Sequence, residues 1–303
     1  MQTQPQPQFR FPPAFESYVA PARARAEIWR LLLGLCLAAI AYAAWSFGLI
    51  TAYWWLTRPA ADPSSMAGIV DASTPRDTLA LLSSFIGMGL GVALVVKYLH
   101  RRPVRTLFGR APVVIRDFVI AAAAVGAVYS VTMVYWFLRY DAVPQLDPGL
   151  WLLLLPLSIL GLLIQTGAEE LVFRGYLQQQ LAARFNARLI WLLVPSLLFG
   201  AAHYDPGVSG ENVWLTVAAT TVFALLAADL TAVTGSIGAA WGFHFANNFA
   251  AILIVAVKGT IPGLALFTTP YGADQTEGML SLIAIDITGL ALAWLLVRRL
   301  VRR

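Results

Sequence analysis

Residues 150–174 read LWLLLLPLSILGLLIQTGAEELVFR. The run from Leu150 to Ile164 carries no charge, and then two adjacent carboxylates and an arginine, Glu169, Glu170 and Arg174, arrive in the same apolar segment. A helix apolar on every face belongs in lipid or in a deep core. Ionisable groups inside it are expensive and need a reason. The whole chain shares this character. Of its 303 residues, 59% are hydrophobic and 12% charged, with a mean hydropathy of +0.70. A soluble domain runs at about half apolar and a quarter charged. The difference excludes an ordinary cytosolic enzyme, a disordered protein and a DNA-binding domain. The single cysteine, Cys36, excludes a disulfide framework and any multi-cysteine zinc or iron–sulfur site.

Outward from this stretch, further apolar segments cover Leu31–Leu56, Leu79–Leu99, Phe118–Leu138, Leu189–Ala202, Val213–Leu230, Ile237–Val257 and Met279–Val297. With the long segment from Leu150 they predict an all-α fold: a polytopic membrane bundle of about eight transmembrane helices, with the active site inside the bundle. The segment before His203 is short for a full span. Leu31–Leu56 is too long for the apolar part of a signal peptide and lacks a clean small-residue cleavage site, so it reads as a retained span. Residues 1–29, with Gln4-Pro5-Gln6-Pro7 and Pro12-Pro13, read as a disordered cytoplasmic tail. Residues 30–303 read as one transmembrane domain whose motif-bearing core is 150–260.

The basic residues divide sharply. Arg10, Arg23, Arg25 and Arg30 precede the first span, and Lys97, Arg101, Arg102, Arg105, Arg110 and Arg116 surround the second loop. Arg174, Arg184 and Arg188 surround the fourth, and Arg298, Arg299, Arg302 and Arg303 close the chain. Only Arg58, Arg76, Arg139 and Lys258 fall on the other side, so 17 of 21 share one face. By the positive-inside rule both termini are cytoplasmic. The net charge of +5 is thereby a topology signal, and no nucleic-acid partner is expected. A composition of 19 Arg against 2 Lys, rich in Ala, points to a bacterial plasma membrane.

Three polar clusters interrupt the apolar helices. Glu169 and Glu170 lie roughly 100° apart on a helix and cannot share a face. Glu170 and Arg174 are at i,i+4 and can pair, which leaves Glu169 for another partner. His203 ends Phe199-Gly200-Ala201-Ala202-His203. A turn near Phe185-Asn186-Ala187-Arg188 places Glu169 and His203 at equal distances along a helical hairpin. Alternatively, Leu171–Phe185 lies flat as an amphipathic segment and Glu169 sits near the surface. In His244-Phe245-Ala246-Asn247-Asn248, His244 and Asn248 share a helix face. Structural ion pairing, interhelical hydrogen-bond glue and a satisfied interfacial histidine are the bland readings of the three. His100 belongs to a basic loop and needs no function. Asp229 reads as a helix-end residue. Asp286 reads as a packing contact or as a partner of a catalytic group.

Together Glu169, His203, His244 and Asn248 form a hydrolytic set. A carboxylate in a low-dielectric pocket can take a proton from water, a histidine can share it, and a second histidine with an amide can donate to an oxyanion. No cofactor is required by this scheme. The same Glu169, His203 and His244 can alternatively hold one Zn²⁺, although the His-Glu-x-x-His helix is absent. Gly207-Val208-Ser209-Gly210 matches the GxSG string of rhomboid serine proteases, but it lies in a polar loop, where such strings arise easily.

Glu169-Glu170-x-x-x-Arg174, Phe199-x-x-x-His203 and His244-x-x-x-Asn248 occur in this order, all on apolar helices. They resemble the CAAX prenyl protease and bacteriocin-processing family of intramembrane endopeptidases, also called CPBP or Abi. The resemblance covers about residues 150–260. It implies that Glu169 activates water with His203 assisting, that His244 and Asn248 bind the oxyanion, and that Glu170 and Arg174 support them. Family names include "metalloprotease", and a metal-free glutamate mechanism has also been argued. The implied substrate is a membrane-bound or lipidated peptide, with membrane lipid as the surrounding partner. The competing class is a non-catalytic membrane protein, such as a transporter, an immunity factor or a scaffold, that uses the same polar residues structurally.

Overall fold

The computed structural model describes residues 11–57 and 72–302. Gln4-Pro5-Gln6-Pro7, Arg10, Arg58 and Arg303 lie outside the described residues. The fold is all-α in its spans: α1 (Pro13–Val19), α2 (Ile28–Thr57), α3 (Pro75–Leu94), α4 (Ala111–Arg139), α5 (Pro148–Glu170), α6 (Arg188–Ala201), α7 (Val213–Thr234), α8 (Gly238–Asn248) and α9 (Thr276–Leu300). Among the described residues, six helical segments are long and apolar enough to cross a membrane, namely Ile28–Leu56, Pro75–Leu99, Val104–Arg139, Pro148–Arg184, Pro206–Thr234 and Thr276–Leu300. The expected all-α polytopic bundle is observed, with helices in all eight expected places; α6 is short for a full span, as its segment before His203 suggests, and α8 is completed by the helical stretch Phe249–Ile254. The 14 residues of α6 reach only ~21 Å.

Helix starts follow local chemistry. The Thr74 side chain caps α3 by accepting from the Asp77 N–H, and Asp147 caps α5 by accepting from Leu150 N–H at 2.9 Å. Proline sits in the first turn of both, where its missing N–H costs nothing. The C-terminus of α7 is closed by Gly235 at φ +67, a left-handed cap where a Cβ would also strike the Ala14 carbonyl. Large apolar side chains, among them Leu32, Ile40, Phe47, Val131, Leu153 and Leu295, cover the outside of the bundle. In water so extensive an apolar exterior would aggregate; in lipid it is the matched surface.

The segment of α5 continues past Glu170 as a wide, π-helical stretch, Leu171–Gln178, and then as a last α-helical turn and a half, Gln179–Arg184. At ~1.5 Å per residue, Pro148–Arg184 measures ~55 Å, well beyond a ~30 Å hydrocarbon core. The predicted turn at Phe185–Arg188 follows it. The extension does not lie flat on a surface: residues 174–183 are buried throughout.

What buries them is the N-terminal segment. The expected disordered tail is helical from Pro13 to Arg25, and Phe11, Phe15, Tyr18, Val19 and Ala22 form an apolar stripe in the core beside Leu177, Leu181 and Trp191. The spacing of these residues is helical, one residue every third or fourth. The disorder reading over residues 13–25 is therefore wrong: the Gln-Pro composition of the first residues does not extend to them. The Gln179 amide donates to the Tyr18 carbonyl at 2.6 Å and to that of Thr106 at 2.9 Å. His100 opens the basic loop directly after a helix end, yet it is not exposed. It is buried, with its ring nitrogens 3.1 Å from the Arg25 carbonyl and 2.9 Å from the Tyr176 hydroxyl. Burial pushes its pKa down to about 4, so it is neutral. Asp229 is not at a helix end. It lies inside α7 and accepts from Arg298 at 2.8 Å and Trp294 at 3.1 Å on α9.

At the opposite end from these groups, β1 (Val143–Pro144), β2 (Val255–Lys258) and β3 (Phe267–Gly272) make a small sheet in the order β1-β3-β2, with β1 antiparallel and β2 parallel to β3. The site is held lower down by close approach of α8 to α4. A Cβ on Gly242 would overlap the Phe118 carbonyl oxygen, so only glycine lets the two backbones meet there.

Phe15→Ala should remove an aromatic ring from a closed core and cost about 3–5 kcal/mol. Thermal unfolding of the purified protein in detergent measures this. An unchanged transition would show that the N-terminal helix adds nothing to the fold.

Candidate active site

The three motifs meet where α5, α8 and the end of α6 converge. Two of these helices widen to π geometry directly after their motif residues: α5 after Glu170, and α8 after Asn248, over Phe249–Ile254. Such expansions are frequent at functional sites because they re-aim neighbouring side chains. Gly167 lets Trp241 of α8 lie against α5, and the Trp241 indole N–H donates to Thr166 at 3.1 Å.

Glu170 is the hub. It is fully buried, and its Oε1 accepts from Arg174 at 2.8 Å and from the His244 Nδ1–H at 2.8 Å. The i,i+4 pair with Arg174 is the one that the spacing predicts. Arg174 also donates to the Ala224 carbonyl of α7 at 3.2 Å, and its guanidinium lies 5.0 Å from the Phe199 ring centre. A buried arginine is thus neutralised, hydrogen-bonded and stacked at once. Glu169 faces elsewhere. Its Oε2 lies 3.5 Å from His244 Nε2 and has no hydrogen-bond partner, although it is buried. One buried oxygen of Glu170, Oε2, also lacks a partner, but that carboxylate is already paired with a cation.

His203 follows the last turn of α6. Its Nδ1–H donates to the Phe199 carbonyl at 2.8 Å, and its ring packs on Phe199, whose other side meets the His244 ring. A proton fixed on Nδ1 leaves Nε2 of the neutral ring as an acceptor. Asn248 donates from Nδ2 to Gln165 Oε1 on α5 at 3.0 Å.

His203, His244, Asn247, Asn248 and Asp286 line one cavity of about 110 Å³. Glu169 is not in its wall and reaches it only through His244. A larger cavity, about 360 Å³, shares Thr220, Asn247 and Asp286 with it and runs to Val255, Val257, Thr260 and Thr269 beside the sheet. The space beside the site thus extends toward the strands. Ser209 is on the wall of that larger cavity and accepts from the Thr216 hydroxyl at 3.4 Å. For the zinc alternative, among the described residues no three His, Cys, Asp or Glu side chains are grouped closely enough to hold a metal, although the Nδ1 contacts of His203 and His244 leave Nε2 of each ring free to ligate. Gln165 and Tyr129 belong to the site but escape a reading of the sequence, because each is a single neutral polar residue among apolar neighbours; Asn247, inside the His244–Asn248 motif, belongs to it as well.

Residues 150–250 match the family model described as type II CAAX prenyl endopeptidase, Rce1-like. That segment contains all three motifs. The uncharacterized protein YyaK of Bacillus subtilis (strain 168) is 33% identical over 148 residues, 47% of this chain and 48% of that protein. The chain thus covers about half the length of this curated relative. No solved structure matches.

Glu170→Gln should leave Arg174 as an uncompensated buried charge and cost about 3–5 kcal/mol. Glu169→Gln removes no hydrogen bond from the fold and should cost far less. Parallel thermal melts of the two variants decide this, and equal losses would contradict the assignment of Glu170 as the structural carboxylate.

Proposed function

We propose that this Rce1-like chain is an intramembrane endopeptidase that hydrolyses a peptide bond of a membrane-associated or lipidated peptide. The observation that carries the reading is the unpartnered, buried Glu169 Oε2, 3.5 Å from His244 Nε2 and beside a cavity lined by His203, His244 and Asn248. Unlike Glu170, Glu169 has no cation paired with it by a hydrogen bond. A general base keeps such an oxygen for water.

In this scheme Glu169 takes a proton from water as the water oxygen bonds to the scissile carbonyl carbon. His203 Nε2 accepts a hydrogen bond from the same water. The Asn248 amide donates to the oxyanion that forms, joined by His244 Nε2–H when that ring is an imidazolium whose Nδ1–H is held by Glu170. Collapse breaks the C–N bond, and the proton on Glu169 passes to the leaving amine. The larger apolar cavity supports a substrate with a hydrophobic portion. A non-catalytic transporter, immunity factor or scaffold is the poorer reading, because separate pairing would suit such a protein and here the polar groups converge.

The protein is an integral membrane protein. The reading of a bacterial plasma membrane with both termini in the cytoplasm is supported by the basic side chains Arg25, Arg30, Arg102, Arg188 and Arg298, which gather at the end away from the sheet. Topology reporters fused at the C-terminus and between residues 58 and 76 should read opposite sides; the same side for both would refute the orientation.

Cleavage of a hydrophobic or lipidated peptide by the purified protein tests the chemistry. Glu169→Gln should lower the rate about 10²–10⁴-fold, and Asn248→Ala about 10²–10³-fold. Ser209→Ala should leave it unchanged, as should a chelator. A fully active Glu169→Gln would overturn the assignment.

A further inference from the structure

Asp286 on α9 has no part in the scheme above, yet it lines the reaction cavity with His203, His244 and Asn248. It lies at the end of an unbroken chain of hydrogen bonds. Tyr129 Oη, on α4, is 2.6 Å from Asp286 Oδ1 and 2.7 Å from Asn247 Oδ1. Asn247 Nδ2 donates to Asn248 Oδ1 at 3.0 Å, and Asn248 Nδ2 donates to Gln165 Oε1 at 3.0 Å. Tyr129 and Asp286 both fall outside the family-matched segment 150–250.

The proton inventory gives this chain a direction. A tyrosine hydroxyl has one proton, and here it faces two acceptor-type oxygens. With Asn247 Oδ1 turned to Tyr129, as it stands here, both contacts are satisfied together only if the Asp286 carboxyl carries a proton and donates it to Tyr129, which then donates to Asn247. Every later link runs the same way, from Asn247 to Asn248 to Gln165. With Asp286 ionised, Tyr129 turns its proton to the carboxylate. Asn247, Asn248 and Gln165 must then all turn over, each donating back toward Tyr129. These are the two self-consistent senses. A primary amide has two N–H groups and the chain uses one. The sense of the chain therefore decides which corner of the Asn248 side chain, the one by Gln165 or the one by Asn247, keeps the spare N–H.

Resting on the endopeptidase reading, we propose that Asp286 is a positioning residue: its carboxyl proton, passed through Tyr129 and Asn247, sets the Asn248 amide so that its spare N–H meets the oxyanion. Asn248 is held from both sides, by Gln165 on α5 and by the relay from α4 and α9. An oxyanion donor acts only when its N–H is already aimed at the developing charge.

The test uses the full chain in detergent with a hydrophobic peptide that the wild type cleaves. Asp286→Asn repeats the donation to Tyr129 from an N–H and should keep kcat near that of the wild type. Asp286→Leu and Tyr129→Phe cut the chain and should lower kcat about tenfold to a hundredfold with KM little changed, short of the full loss of an oxyanion donor. Equal impairment of Asp286→Asn and Asp286→Leu, or an unimpaired Asp286→Leu, would overturn the proposal. Infrared spectroscopy reads the relay without turnover. The wild type should show a protonated-carboxyl C=O band that shifts in D₂O, vanishes in Asp286→Asn and moves in Tyr129→Phe. Lack of that band overturns the relay even in an active enzyme. The band in a chain that cleaves nothing upholds the relay and sinks the endopeptidase reading instead.

Discussion

One carboxylate oxygen, Glu170 Oε1, organises the interior. It accepts from Arg174 on its own helical segment and from His244 on α8. Charges away from both water and headgroups persist only when paired and hydrogen-bonded. The Glu170–Arg174 pair therefore dictates where α8 and α7 must pack, His244 answering the anion and the Ala224 carbonyl answering the cation. Phe199 of α6 covers the guanidinium and so brings His203 to the same place. Stability and reactivity divide between adjacent residues: Glu170 is spent on the fold, and Glu169, rotated to the next face, is not.

Much of this was legible in the sequence, and the reasons are local. Hydropathy located the eight helical places because each apolar run is bounded by proline, glycine or charge. The i,i+4 interval from Glu170 to Arg174 predicted their pairing, and the i,i+4 interval from His244 to Asn248 predicted a shared face, which the structure turns to α5. The hairpin turn at 185–188 was visible as a polar break between apolar arms. What stayed hidden depends on which helices lie side by side. Nothing in the periodicity of α4 says that it packs on α8, so Tyr129 reads as one more aromatic in an apolar helix. Asp286 faces the same obstacle. The strands pair Val143 with Thr268 across a long stretch of chain, and runs this short carry no periodic signal.

The N-terminal misreading has a different origin. Composition is an average over a window, and proline and glutamine near the start of the chain dominated that average. The positions of Phe11, Phe15, Tyr18 and Val19 contain the helical stripe regardless. The three consecutive glutamines at 178–180 repeat the lesson: polar by composition, they are buried because each amide finds a partner, Gln178 on the Ala228 carbonyl, Gln179 on the Tyr18 carbonyl of the N-terminal segment and Gln180 on the His100 ring.

That cover has a consequence in time. Tyr18 and Gln179 are 161 residues apart in the chain. At about 5–20 residues per second, the ribosome needs roughly ten to thirty seconds to make the second after the first. During that interval the N-terminal helix has an apolar stripe and no place to put it. It must wait at the membrane surface or under a chaperone while the spans insert, and docking it is among the last acts of assembly. A part of the chain made before the spans is the one that closes the finished bundle.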